Sequence, residues 1–160
     1  MKSLFMILIS CCVVNAQQDT NRLKIKTVVH YTTSFIAGSL DGFIESLNYH
    51  YDSGVKKRLP NLNDKFWNPA ISWRNKYKNG EPSEGAKFPG STNFFVFTTD
   101  GYHLMRFLHK SFSISIVLSF DTPKNGSGSR KVLKYLLKTV LISASYTLGK
   151  TLMYDVVFKN

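Results

Sequence analysis

Cysteine is absent from the sequence beyond residue 12, because its two cysteines are Cys11 and Cys12. Without those first residues the chain can form no disulfide and no thiolate metal site. Acidic residues are also scarce: 10 Asp and Glu stand against 21 Lys and Arg, and the net charge is +11. Partners are therefore expected to be anionic, either nucleic acid or a membrane surface that carries acidic lipid.

Motifs that identify common enzyme classes are missing as well. The sequence has no phosphate-binding glycine loop, no His-Glu-x-x-His pair and no nucleophilic serine elbow. After residue 16 there is no uninterrupted apolar run of the roughly 18 residues that identify a transmembrane helix. Spanning helices with a few polar groups and a water-exposed helical domain both remain open interpretations.

The first 16 residues have the pattern of a secretory signal peptide. Lys2 provides a short positive region, residues 4–14 are uncharged and mostly apolar, and Ala16 is a small residue before a polar stretch. We expect cleavage after Ala16, with cleavage before a lipid-carrying Cys11 as the alternative. Residues 17–160 would then form one exported domain, since this length holds a single core. An exported chain does not meet chromosomal DNA, so membrane lipid is the expected anionic partner and nucleic acid is not.

Helical spacing of apolar residues appears in three segments, which predict a mainly α fold. The three helices are expected near 33–51, 92–120 and 130–155, associated with a membrane or spanning it. Residues 17–30 are expected to be a lead-in or a short edge strand, and 112–120 alternate in a way that also suits a strand. Gly38 and Gly42 stand four apart, a spacing that permits close helix approach but also arises by chance.

A fourth, short helix is predicted near 69–78, with Asn68 as its N-cap and Pro69 in its first position. Aromatic rings alternate with cations around it, as is typical of a membrane interface. In the alternative interpretation, its two tryptophans are core anchors under a solvated basic loop. Together with a basic stripe on the last helix, the predicted lipid- or anion-binding residues are Trp67, Trp73, Arg74, Lys76, Tyr77, Lys78, Lys131, Lys134 and Lys138.

Four residues are candidates for catalysis. Asp41 and Glu45 lie four apart on one predicted helix face, and Asp100 and His103 lie three apart. Carboxylates beside an imidazole suit a divalent metal ion that activates water. Acids at this spacing also commonly form a solvated helix face, so no catalytic role is assigned. No cofactor and no resident metal is predicted.

Two stretches, FWNPAISWRNKYKNG at 66–80 and TTDGYHL at 98–104, carry a family resemblance. The chain resembles an uncharacterised family of small exported or membrane-associated proteins from bacteria and their phages, over most of residues 17–160. The resemblance implies a location at the cell envelope. It brings no activity and assigns no catalytic residue.

The sequence favours a non-enzymatic membrane or envelope accessory protein that binds anionic lipid through its basic aromatic segment. Two alternatives stay open. One is a membrane-embedded, metal-assisted hydrolase that uses the four candidate residues, and the other is a small outer-membrane β-barrel suggested by the alternation at 112–120.

Overall fold

The computed structural model describes residues 19–119 and 127–159, with side chains described from residue 26 onward. The predicted signal segment at 1–16 lies outside these residues. The described part is mainly helical, which confirms the predicted α class. Within it no strand forms, and the nearest approach to a sheet is a single antiparallel bridge between Tyr77 and Ala86.

In the described part of the chain, five α-helices are joined by short turns of other helix types. The α-helices are α1 (Asp19–Tyr49), α2 (Asp64–Trp67), α3 (Pro69–Ser72), α4 (Gly101–Leu118) and α5 (Gly128–Thr151). Wider π-type turns extend α1 and α5 at Tyr51–Lys56 and Leu152–Phe158. Single 3₁₀ turns occupy Trp73–Lys76, Lys78–Gly80, Pro82–Glu84 and Val96–Thr98.

Two predicted boundaries and one strand alternative are wrong. Helix α1 begins at Asp19, so residues 19–30 are neither a lead-in nor an edge strand. Extending an existing helix by one residue costs far less free energy than starting a new helix. The weak apolar–polar alternation with a period of two residues does not outweigh this difference. Helix α4 begins at Gly101 because the Asp100 side chain accepts the His103 backbone N–H and caps it there. Residues 112–118 belong to α4 and not to a strand.

The long helix α1 is the centre of the bundle and contacts both α4 and α5. Helix α5 runs parallel to it: Ser34 donates to the Ile142 carbonyl, and further along Gly38 meets Tyr146. Helix α4 runs antiparallel, because its last residues lie beside the early part of α1. There His30 Nε2 is 2.7 Å from the Ser119 carbonyl oxygen.

Helices α1 and α5 touch through small residues. A Cβ atom added to Gly38 or Gly42 would collide with the backbone of α5, and one added to Gly149 would collide with the Phe35 carbonyl of α1. The Ser145 hydroxyl, also at this contact, donates to the Tyr31 carbonyl at 2.8 Å. The glycine spacing noted in the sequence is therefore a real helix contact and not a chance pair.

The apolar core lies at one end of the bundle, around and beyond the last turns of α1. Its buried centre is Leu47, Tyr51, Val55 and Phe158, so it joins the two π-type turns. Seven partly buried apolar side chains pack around this centre: Phe43, Leu59, Leu62, Trp67, Met105, Met153 and Val157.

In residues 19–119 and 127–159, no helix combines the length and the apolar character that crossing a membrane requires.

We predict that Gly38→Ala lowers the free energy of unfolding by about 1–3 kcal/mol, because the added methyl group must push α5 away from α1. Thermal or urea unfolding followed by circular dichroism measures this. Gly128→Ala is the matched control, since nothing lies within 4 Å of the Cβ it would add. Equal stability of the Gly38 variant and the wild type would contradict the close contact.

Candidate functional site

Asp41 and Glu45, the first pair of candidates, both bind one lysine of α5. The Lys150 ammonium lies 3.0 Å from Asp41 Oδ2 and 2.7 Å from Glu45 Oε1. The hydrogen bond that Lys150 donates to Glu45, and after it the one to Asp41, raises the pKa of Lys150 above its ordinary value. This lysine therefore stays charged, and the two carboxylates hold the end of α5 against α1.

Tyr146 extends this ion cluster to the third helix. Its hydroxyl lies 3.0 Å from His109 Nε2 on α4. Burial, together with the negative charge of Asp41, raises the pKa of Tyr146 to about 12. The phenol is consequently neutral at physiological pH and serves as a bridge. A polar network thus links α1, α4 and α5 through side chains.

Asp100 and His103 form the second pair, at the start of α4. Asp100 is buried, accepts the His103 backbone N–H at 2.9 Å, and accepts the Thr99 hydroxyl at 3.1 Å. The His103 Nδ1 atom lies 2.8–2.9 Å from both carboxylate oxygens, so Nδ1 carries the proton and donates. The carboxylate therefore caps the helix and orients the imidazole at once.

The four candidates do not share a common partner. Asp41 and Glu45 are bound to Lys150, whereas Asp100 is bound to His103 and to its own helix end. Across the described residues, no three His, Cys, Asp or Glu side chains gather in a way that could hold a metal ion. Each pair therefore has a structural contact of its own.

The basic aromatic segment divides into a buried and an exposed part. Trp67 packs edge-on against Phe43 with ring centroids 6.0 Å apart, and its ring fills the space beside Gly101. This position favours the core-anchor interpretation for Trp67.

Trp73, by contrast, is exposed and makes an edge contact with Tyr77 at 6.2 Å. Arg74 lies over the Trp73 ring at 5.4 Å, and Lys76 lies over the Tyr77 ring at 5.4 Å. Lys78 is exposed next to them. These five residues form a surface on which cations and rings alternate.

The second basic group, Lys131, Lys134 and Lys138, lies near the beginning of α5. The register that aligns Ser34 with Ile142 sets these lysines beside the early part of α1. The basic aromatic segment is attached at the other end, where Asn75 donates to the Thr99 carbonyl just before α4. With a rise of 1.5 Å per residue, the two groups are roughly 30 Å apart along the bundle.

Helix α5 turns its leucine-rich face away from the bundle, which the sequence did not predict. Seven large apolar side chains on it are between 51% and 62% exposed: Val132, Leu133, Leu136, Leu137, Val140, Leu141 and Leu148. The face that contacts α1 carries Ile142, Ser145, Tyr146 and Gly149 instead. We call the seven exposed residues the α5 outer face. Serine and glycine recur at helical spacing along α1. This small-residue stripe was the sequence signal from which the outward orientation of the α5 leucines could have been inferred.

No family model, curated protein or solved structure matches this chain.

We predict that Lys150→Met destabilises the fold by about 1–2 kcal/mol, because Asp41 and Glu45 would then face each other without a cation. Chemical unfolding at neutral pH measures this. The control is Lys159→Met, which removes an exposed pair with Asp155 and should change the stability by well under about 1 kcal/mol. Equal effects of both variants would show that the cluster adds nothing beyond a surface pair.

We predict that Asp100→Ala costs about 1–2 kcal/mol of stability, because α4 loses its cap and His103 loses its acceptor. Asp100→Asn keeps an acceptor oxygen at the cap and should retain most of that stability. Urea unfolding of the two variants checks this. If Asp100→Ala unfolds at the same urea concentration as the wild type, the interpretation of Asp100 as a helix cap is wrong.

Proposed function

We propose that this protein is a non-enzymatic accessory protein of the cell envelope that binds anionic membranes, with the α5 outer face against acyl chains. The observation that carries the proposal is the inverted polarity of α5. Its small and polar side chains point into the bundle, and its large apolar side chains point out. Soluble helices have the opposite arrangement, whereas helices in lipid pack through small residues.

The size of the α5 outer face supports a lipid contact over a random surface feature. Burying one large apolar side chain gives about 1.5–3 kcal/mol when it leaves water completely. Seven half-exposed side chains on one helix face can therefore supply enough free energy for stable membrane association. Contiguous exposed apolar surface of this kind commonly marks an interaction site.

Lysines at the start of α5 support the anionic character of that membrane. Lys131, Lys134 and Lys138 lie on the same helix, on the side of Ser145 and Gly149 and outside the α5 outer face, and long lysine side chains reach around a helix towards the headgroups. Each lysine near an acidic lipid surface contributes about 1 kcal/mol. The basic aromatic segment with Trp73 and Tyr77 offers a second contact of the same chemistry. The expected export signal and the family resemblance agree with an envelope location.

We predict that Leu137→Glu weakens binding to vesicles of phosphatidylcholine and phosphatidylglycerol by tenfold or more, since a charge must then enter the acyl region. Vesicle co-sedimentation measures this partition. Asn61→Glu is the matched control, because it adds the same charge to an exposed loop outside the α5 outer face.

The same vesicle co-sedimentation assay distinguishes the contributions of the two basic groups to binding. Neutralising Lys131, Lys134 and Lys138 to glutamine should weaken binding and its salt dependence more than neutralising Arg74, Lys76 and Lys78. Binding that Leu137→Glu leaves intact would remove the α5 outer face from the function. Equal binding to vesicles with and without phosphatidylglycerol would remove the preference for acidic lipid.

A further inference from the structure

A row of aromatic rings leads from a loop onto the outside of α4. Phe94 and Phe95 meet edge to face at 4.9 Å, Phe95 and Phe97 are 6.4 Å apart, and Phe97 stacks on Phe107 of α4 at 4.3 Å. Phe94 at the end of this row is 77% exposed.

The loop that carries these rings has a defined shape. Gly90 has a φ of +85°, and a side chain there would meet the Phe95 ring. The Phe95 backbone N–H donates to the Gly90 carbonyl at 2.8 Å, and the Phe94 N–H donates to Asn93 Oδ1 at 2.8 Å. The backbone at both exposed phenylalanines is therefore held by hydrogen bonds within the loop.

Helix α4 continues the same apolar surface. Ile114 and Leu118 follow Phe107 by seven and eleven positions, which places all three on one side of the helix. They are 58% and 82% exposed, whereas Met105 and His109 turn towards the core and Tyr146. We call the six residues Phe94, Phe95, Phe97, Phe107, Ile114 and Leu118 the α4 ridge.

The charged side chains that α4 itself carries beside the α4 ridge are positive. Arg106 and Lys110 are exposed on α4, and the helix contains no Asp or Glu. A second copy of this chain would bring the same cations to the contact and add to the repulsion from a net charge of +11. An acidic lipid surface offers acyl chains for the ridge and phosphates for the two cations.

We propose that the α4 ridge is a second membrane-docking surface, with Phe94 and Phe95 inserted among the acyl chains and Arg106 and Lys110 at the headgroups. This inference rests on the proposed membrane association. The ridge and the α5 outer face lie on different helices, each directed away from α1. If both surfaces contact lipid, the bundle is immersed in the membrane surface. It does not merely lie on the membrane along a single helix.

Single-cysteine labelling tests the proposal in the full chain, with Cys11→Ser and Cys12→Ser as background. An environment-sensitive fluorophore is attached at Phe94→Cys, Ile114→Cys, Val140→Cys or Glu84→Cys, and vesicles of phosphatidylcholine and phosphatidylglycerol carry brominated acyl chains. We expect blue-shifted, quenched emission at positions 94, 114 and 140 and an unchanged signal at 84. The variant with Phe94→Ser and Phe95→Ser should bind vesicles at least about tenfold more weakly, whereas Tyr49→Ser, which removes an exposed ring elsewhere, should bind normally.

The outcomes separate this inference from the proposed function. Quenching at 140 without quenching at 94 and 114 overturns the α4 ridge and leaves the α5 contact in place. No quenching at any position overturns both. A shift at 94 and 114 that depends on protein concentration and occurs without vesicles means that another copy covers the ridge, and it overturns the lipid assignment.

Discussion

The close contact of α1 with α5 governs the remainder of the structure. Glycines at 38, 42 and 149 let the two backbones approach, and Ser34 and Ser145 hydrogen-bond across the gap. At the glycines the contact is so narrow that it leaves no room for a larger side chain between the helices. The leucines and valines of α5 must then point outward, so the apolar exterior is a direct result of the small interior.

Polar groups inside the bundle compensate for the limited apolar core. The apolar cluster occupies one end, and along the shared length of the helices Lys150, Tyr146 and His109 connect α5 to α1 and α4. Directional hydrogen bonds specify register more narrowly than apolar packing does. Asp41 and Glu45, two of the catalytic candidates, thereby help three helices with small contact surfaces to keep one arrangement.

The sequence was informative where local chemistry decides the structure. Asn68 accepts the Ala70 N–H and Pro69 follows it at the helix start, as a short-range capping pattern predicts. Periodicity identified α1, α4 and α5, but it reports a stripe without saying which stripe faces inward. Which stripe of α5 faces inward depended on whether large or small residues meet at the α1–α5 contact. The cap by Asp100 was missed because Asp-x-x-His was interpreted as chemistry and not as a helix start.

Phe158 closes a cluster whose other buried members, Leu47, Tyr51 and Val55, come much earlier in the chain. The carbonyl of Phe158 also occupies the space beside Gly54. During synthesis the first partners leave the ribosome long before Phe158 does, and their contact spans more than 100 residues. The nascent chain must therefore carry an unfinished core through most of its translation.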